Sequence, residues 1–335
     1  ALRAAKLAAL EAGRWGPADR QRHAVGAVTA LAGPGSVAWV LAEESPERAL
    51  GPALVWADRQ GVDELHVVVD GPANAVSTVA RQAGLFASPT PGVWGIDGTT
   101  LVPAVSTPAP SQPDAPAPPA LVDLLIDAGL EIVAEGGLVR GEINGLEVAR
   151  VVHGTTTAGV PIDRPQLEVG VGKADRELTA MVHGALDPVD QLSRVVEIVR
   201  EHRRPDAPRH PLNQLVPDRW LRAVLCRNPG VVGLASLRPA AGVRPRPNLT
   251  DRDVAMAAGT AADIEGHAVV VACSVGIALD LVPTAADARG AIDPSARLLL
   301  AMPERDDHPG TRRLAARLRS PAEVVPIRGD WRAAG

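Results

Sequence analysis

The sequence predicts an α/β protein: two βαβαβ modules of similar spacing around a mixed αβββα centre. Three observations predict it. Short, almost wholly apolar runs alternate with helical patterns near both ends of the chain. The spacing of those runs recurs at an offset of 231 residues. The middle carries strand-like runs on either side of a polar loop.

In the N-terminal module, residues 1–102, Val37–Ala42 (VAWVLA) has the composition of a strand buried on both faces. Ser45-Pro46-Glu47 opens a helix with a capping serine, proline in the first turn and an early acid; Gly61 stops it after Gln60. Leu65–Val69 is a second strand, Asn74–Gly84 a second helix and Val93–Ile96 a third strand. That order implies parallel strands with right-handed crossovers. Residues 103–119 hold seven prolines in seventeen positions and form a linker, because proline fixes φ and removes a backbone donor.

The central module, residues 120–210, starts with a helix at Ala120–Ala128, and Gly129–Ala134 begins a strand. Gly145–Val152 and Gln166–Val171 are two more strands, and Ala174–His183 and Val189–His202 are helices. The C-terminal module, residues 211–335, opens with a helix over Leu212–Arg227. The 231-residue offset then places Val37–Ala42 on Ala268–Cys273, Leu65–Val69 on Ala296–Leu300 and Val93–Ile96 on Val324–Ile327. Pro52 falls on Pro283 and Gly98 on Gly329. A shared architecture explains these coincidences as well as a duplication does.

Composition limits the function. No apolar run approaches the ~18 residues of a membrane span, so no membrane partner is expected. The opening ALRAAKLAALEAGRWG does not read as a signal peptide, and Cys226 and Cys273 are too few for a disulfide framework or a four-thiolate zinc site. The expected compartment is the cytoplasm. The chain has two lysines beside 32 arginines, no tyrosine and one phenylalanine, the bias of a GC-rich genome, and it lacks an aromatic series for stacking bases. Cys273 reads as a small core residue.

The most suggestive constellation is Glu147 and Glu168 on adjacent strands, followed by Lys173 at a strand-to-helix turn. Period-two alternation puts Glu147 with Ala149 and Val151, where a carboxylate is costly unless paired or metal-bound. Two such carboxylates can bind a divalent cation, Mg²⁺ or Mn²⁺, with Lys173 stabilising a developing anion. The alternative is that both pair with Arg140, Arg150 or Arg164 on a solvated sheet face. The turn is not a P-loop, since Leu167 and Ala174 stand where Gly and Ser/Thr belong.

Residues 190–252 hold twelve arginines against six acids in an otherwise acidic chain of net charge −5. Arg200, Arg203, Arg204, Arg209, Arg244 and Arg246 there form a candidate phosphate-backbone footprint for DNA or RNA. The strand ends near Asp70–Asn74 and Glu304–His308 form a second candidate crevice, for a small ligand or a protein partner, a second copy included.

From Leu212 onward the order helix, strand, strand, turn at Asp263-Ile264-Glu265-Gly266, strand, helix, strand, helix, strand resembles the core of restriction-endonuclease-like (PD-(D/E)XK) nucleases. The resemblance covers about a third of the chain. It aligns Asp263 with the metal-binding Asp, but Ala272 and Ser274 with the Glu and Lys; in the first copy Glu43 and Ser45 take those places. What it implies is a nuclease-like nucleic-acid-binding protein whose metal chemistry is lost or moved to Glu147, Glu168 and Lys173. The alternative function is a non-catalytic small-ligand or scaffold protein.

Overall fold

The computed structural model describes residues 6–7, 21–25, 28–32, 37–87, 90–182, 187–246, 248–251, 253–262 and 266–334, with backbone alone for 21–25, 28–32 and 178–182. The fold is α/β. The chain divides into two compact units, Ala1–Pro110 with Ile277–Ala291 and Asp307–Val324, and Ser111–Gly276 with Ile292–Asp306 and Val325–Gly335. Among the described residues the longer helices are α1 (Leu50–Gln60), α2 (Ala73–Ala83), α3 (Pro119–Asp127), α4 (Gly172–Val182), α5 (Pro188–His202), α6 (Pro217–Arg227), α7 (Leu281–Ile292) and α8 (Pro309–Ala316).

The first unit holds a six-stranded sheet in the order β1 (Gln21–Val25), β2 (Val28–Ala32), β3 (Val37–Ala42), β4 (Glu64–Val69), β5 (Gly92–Asp97) and β6 (Thr100–Pro103). The three predicted strands β3, β4 and β5 run parallel, as their βαβαβ order implies. The antiparallel additions β1, β2 and β6 were not anticipated. The helix expected from Ser45 is two pieces. Ser45 sits at φ 45 without a side-chain cap, a 3₁₀ turn covers Pro46–Arg48, and α1 starts at Leu50. Gly61 ends α1 at φ 66, as expected. Ion pairs tie α7 and α8 into this unit: Arg81 grips the buried Asp287 through Nε and Nη2 at 2.6 and 2.9 Å, Arg48 Nε lies 2.7 Å from Asp280, and at the surface Arg313 Nε lies 2.7 Å from Asp58.

The second unit carries two sheets. One is five-stranded, ordered β11 (Leu234–Pro239), β12 (Ala255–Ala261), β13 (Ala268–Cys273), β14 (Arg297–Pro303) and β15 (Glu323–Ile327). β11–β12–β13 are antiparallel and β13–β14 parallel, the same sequence of pairings as in the first sheet. The offset of 231 residues holds for the starts of β3 and β13, α1 and α7, and β5 and β15, with proline at the third position of each helix, but β14 starts 233 residues after β4 and α8 236 after α2. The helix expected at Leu212 is a 3₁₀ turn at Pro211–Asn213 and then α6, because Pro217 can only open a helix. Asp263, with Ile264 and Glu265, lies outside the described residues, as does Arg252.

The apolar side of α6 (Trp220, Leu221, Val224, Leu225) packs in the core of the five-stranded sheet with Leu237, Ala257 and Val271. At its second position Asp218 is buried, and its Oδ1 accepts the Val275 N–H at 2.7 Å. Burial pushes this carboxyl up to about 6. Its folded pKa lies above the unfolded value of about 3.9, so the folded chain keeps a proton that the unfolded chain has released. The associated stability is present below pH ~4, falls as pH rises to ~6 and is gone above, about 3 kcal/mol in all. Asp218→Asn is therefore expected to be more stable than wild type at pH 7 and equal to it near pH 4. Urea unfolding at the two pH values tests this, and a pH-independent difference would refute it. Nearby Cys273 is fully buried, and burial raises its thiol far above the usual range, so it serves as core.

The other sheet is antiparallel, ordered β10 (Gln166–Val169), β9 (Leu146–Val152), β8 (Leu138–Ile143) and β7 (Glu131–Glu135). The centre has four strands where three were expected. The missed strand is β8, whose alternation of Val139, Gly141 and Ile143 with Arg140 and Glu142 places charge at every second position. Its apolar face joins a core with Leu125 of α3 and Leu192, Val196 and Val199 of α5. A Cβ at Gly141 would meet Leu130 Cδ1 at 2.6 Å and Leu125 Cδ2 at 3.1 Å, so glycine lets the helix layer approach.

Candidate functional site

The opposite face of this four-stranded sheet is charged. Arg140 pairs across with Arg150, Glu168 with Arg150 and Glu142 with Glu147, so all five side chains share one face. Strict alternation would have placed Glu147 with Ala149 and Val151. The register shifts between Gly141 and Glu142, leaving Val148 without a partner in the pairing. That β-bulge turns Glu147 to the charged side, the correction to the expected alternation.

Arginines from outside the sheet cover this face. Arg222 of α6 reaches Glu142 at 3.0 Å, with both side chains 1% exposed. Arg246, from the segment between β11 and β12, bonds Glu142 and lies 3.4 Å from Glu135 and 3.5 Å from Glu147. Arg176 of α4 donates to Glu147 Oε1 at 3.1 Å, and Arg140 Nε lies 3.3 Å from Oε2. Burial alone would push the Glu142 carboxyl up; the guanidinium groups of Arg246 and Arg222 outweigh it and hold it at about 2. Burial depresses Arg140 and Arg176, whereas three glutamates overcome burial to raise Arg246.

Above Glu147 lies a cavity of about 190 Å³. Arg140, Arg150, Arg176, Arg219, Arg246 and Lys173 supply six cations to its wall against the single carboxylate of Glu147. Gly172, Asn248 and Leu249 complete it. Gly170 and Gly172, at φ 137 and φ 79, make the turn that starts α4 at the wall, and Val171 N–H is capped by Asp175 Oδ2 at 2.7 Å. Leu249 seals against Gly172, where a Cβ would come within 2.8 Å of its Cδ1.

Four guanidine nitrogens of arginines on this wall lack an aligned hydrogen bond. They are Arg140 Nε and Nη1, Arg176 Nε and Arg246 Nη1; Arg140 Nε and Arg246 Nη1 keep ion-pair distances of 3.3 and 3.5 Å to Glu147, and Arg140 is only 6% exposed. Arg219 is anchored by Asp253 at 2.8 Å.

The sequence-derived residues divide. Glu147 and Lys173 meet at the cavity, Lys173 with a 74% exposed side chain 3.6 Å from Glu177. Glu168 shares the charged face but is not part of the cavity wall. Its oxygens accept from the Thr157 amide and hydroxyl and from Arg150 Nε at 3.0 Å, which together overcome burial and lower its pKa. The donor set does not suit Mg²⁺ or Mn²⁺: four guanidinium groups lie within 4.0 Å of Glu147, and among the described residues no three His, Cys, Asp or Glu converge for a metal. Arg140 and Arg150 do pair with the glutamates as the alternative reading held, but on a buried face.

The six arginines of the expected phosphate-backbone footprint are dispersed. Arg203 is buried, stacked 4.4 Å over Trp220 and bonded to the carbonyls of Asn144, Leu212 and Leu215; burial lowers its pKa to about 9. Arg200 caps α3 by donating to the Ala128 and Gly129 carbonyls at 2.7 and 3.0 Å. Arg246 belongs to the cavity, Arg244 is half-buried, and Arg204 and Arg209 are exposed. Arg203 is thus a core residue and not a backbone contact, since its donors are spent on carbonyls.

At the strand ends proposed as a second crevice, Lys6 joins Glu43 at 2.9 Å and also Asp70, while His308 caps α8 by accepting the Gly310 N–H at 3.0 Å. Ala272 and Ser274, at the nuclease Glu and Lys positions, are buried. Sequence reasoning missed Arg176 and Arg219 as site residues; their signal was an arginine inside each helix on the side away from solvent. No protein-family model, curated protein or solved structure matches the chain.

Proposed function

We propose that the protein binds a small anionic ligand in the arginine-lined cavity of its central sheet, as a binding protein rather than a phosphodiester-cleaving enzyme. The observation that carries this reading is the buried Arg140 on the cavity wall, whose Nη1 makes no hydrogen bond and whose Nε has only the ion pair with Glu147 at 3.3 Å. An unmet buried donor costs about 1–3 kcal/mol, more for a charged group, and an oxyanion removes that cost. The start of α4 adds the positive end of a helix dipole. A cavity of about 190 Å³ suits a headgroup; an extended polymer needs an open groove.

The metal-dependent nuclease reading has less support, because Glu147 is enclosed by guanidinium groups and Arg200 and Arg203 donate to backbone carbonyls. Calorimetric titration of inorganic phosphate and pyrophosphate into the full chain at about 50 and 200 mM salt tests the proposal. Saturable binding to one site, weaker at the higher salt, is expected. Heat from neither anion at the lower salt, or salt-sensitive DNA binding with Mg²⁺-dependent cutting, would overturn it.

A further inference from the structure

Resting on the anion-binding reading, we infer that Lys173 is the residue that captures the anion on the solvent side of the cavity, and that Glu177, one turn along α4, competes with the anion for it. The arginines of the wall are poorly placed for first contact. Arg140, Arg150, Arg176, Arg219 and Arg246 have side chains between 2 and 18% exposed, and each is already ion-paired to a carboxylate. Lys173 lines the same cavity with a 74% exposed side chain. Among the described residues its one ion pair is the contact with Glu177 at 3.6 Å. A lysine ammonium is a compact charge on a flexible four-carbon stem, so it can turn from one acceptor to another.

The position of Lys173 in α4 works against a purely structural role. It is the second residue of the helix, where the positive end of the dipole disfavours a cation. Lysine four residues before glutamate is also the weaker order of an i, i+4 pair, and an exposed pair of this kind contributes little. An anion at the helix start meets the dipole and the ammonium together, which turns the first of these costs into a gain. Glu177 is not part of the cavity wall, so it holds the ammonium weakly and from outside the site.

The test is a double-mutant cycle on the full chain. Inorganic phosphate is titrated calorimetrically into wild type, Lys173→Gln, Glu177→Gln and the double variant, and the melting temperatures of the four free proteins check that all are folded. Lys173→Gln is expected to weaken phosphate several-fold. Glu177→Gln is expected to tighten it about twofold, the worth of an exposed i, i+4 pair, and to change nothing in the Lys173→Gln background. The four proteins should melt alike, because solvent reaches both side chains. No tightening by Glu177→Gln, or equal tightening in both backgrounds, would overturn the competition; unchanged affinity in Lys173→Gln would overturn the capture. Each of these results leaves the anion reading intact, whereas phosphate binding to none of the four proteins would overturn both.

Discussion

Glu142→Ala is expected to destabilise the protein by about 3–5 kcal/mol, because it strips the acceptor from a fully buried ion pair. Glu142 is held between Arg222 and Arg246, with its side chain and that of Arg222 each 1% exposed. Removing it leaves Arg222 with no other ion pair among the described contacts, while Arg246 keeps Glu135 and Glu147. Against a usual total of about 5–15 kcal/mol, that loss is a large share. The double variant Glu142→Leu with Arg222→Met should recover most of it, since a buried pair replaced by apolar groups of similar volume is close to neutral. The urea midpoint of the three proteins measures both effects. A loss below about 1 kcal/mol for Glu142→Ala would mean that water reaches the network.

Gly145→Val is expected to be as damaging, for a backbone reason. Asn144 and Gly145 form the tip of the β8–β9 hairpin at φ 48 and φ 75, the left-handed pair that a tight two-residue turn requires. The tip is wedged against α6, where a Cβ at position 145 would lie inside the Arg219 carbonyl and 2.6 Å from the Trp220 nitrogen. Asn144 is locked there, donating to the Arg203 carbonyl at 2.6 Å and accepting from Arg227 at 2.7 Å. Any side chain must therefore push the hairpin from the helix that supplies Arg219 and Arg222 to the charged face. Gly98, at φ 58 with nothing within 4 Å of its missing Cβ, is the control. Gly98→Ala should cost only the strain of a left-handed residue, about 1–2 kcal/mol. Equal losses for Gly145→Val and Gly98→Ala would remove the wedge from the account.

These effects also explain what was legible in the sequence. The parallel strands β3, β4, β13 and β14 stand out because a strand buried on both faces has to be apolar throughout, and VAWVLA and AVVVAC are. Their spacing carries the 231-residue offset into one helix pair, α1 and α7. β8 was hidden because its polar residues point inward, and a reading that assigns charge to solvent cannot see a buried Arg140 or Glu142. The bulge at Val148 misled for a related reason. One extra residue reverses the alternation, and nothing local in Leu146–Val152 announces it.

The candidate site was legible in part. Glu147 was singled out as a carboxylate in apolar company, and Lys173 as a cation at a helix start; both do meet at the cavity. What the sequence concealed was the partner set, because Arg140, Arg176, Arg219 and Arg246 come from a strand, two helices and a loop spread over more than a hundred positions. In a chain with 32 arginines, Arg140 stood out only as a possible partner of the glutamates and Arg246 only as one of a basic stretch, while Arg176 and Arg219 did not stand out at all. Burial, not abundance, separates them from exposed Arg204 and Arg209.

The central claim is that the charged face of the four-stranded sheet holds an anion. Crystals of the full chain soaked in tungstate, a tetrahedral dianion with a strong anomalous signal, test it most directly. The account predicts one dominant peak in the cavity, against the guanidinium groups of Arg140 and Arg176 that line it, and lost in Arg140→Gln. Peaks only on surface arginines such as Arg204 and Arg209, with the cavity empty of tungstate, would contradict it.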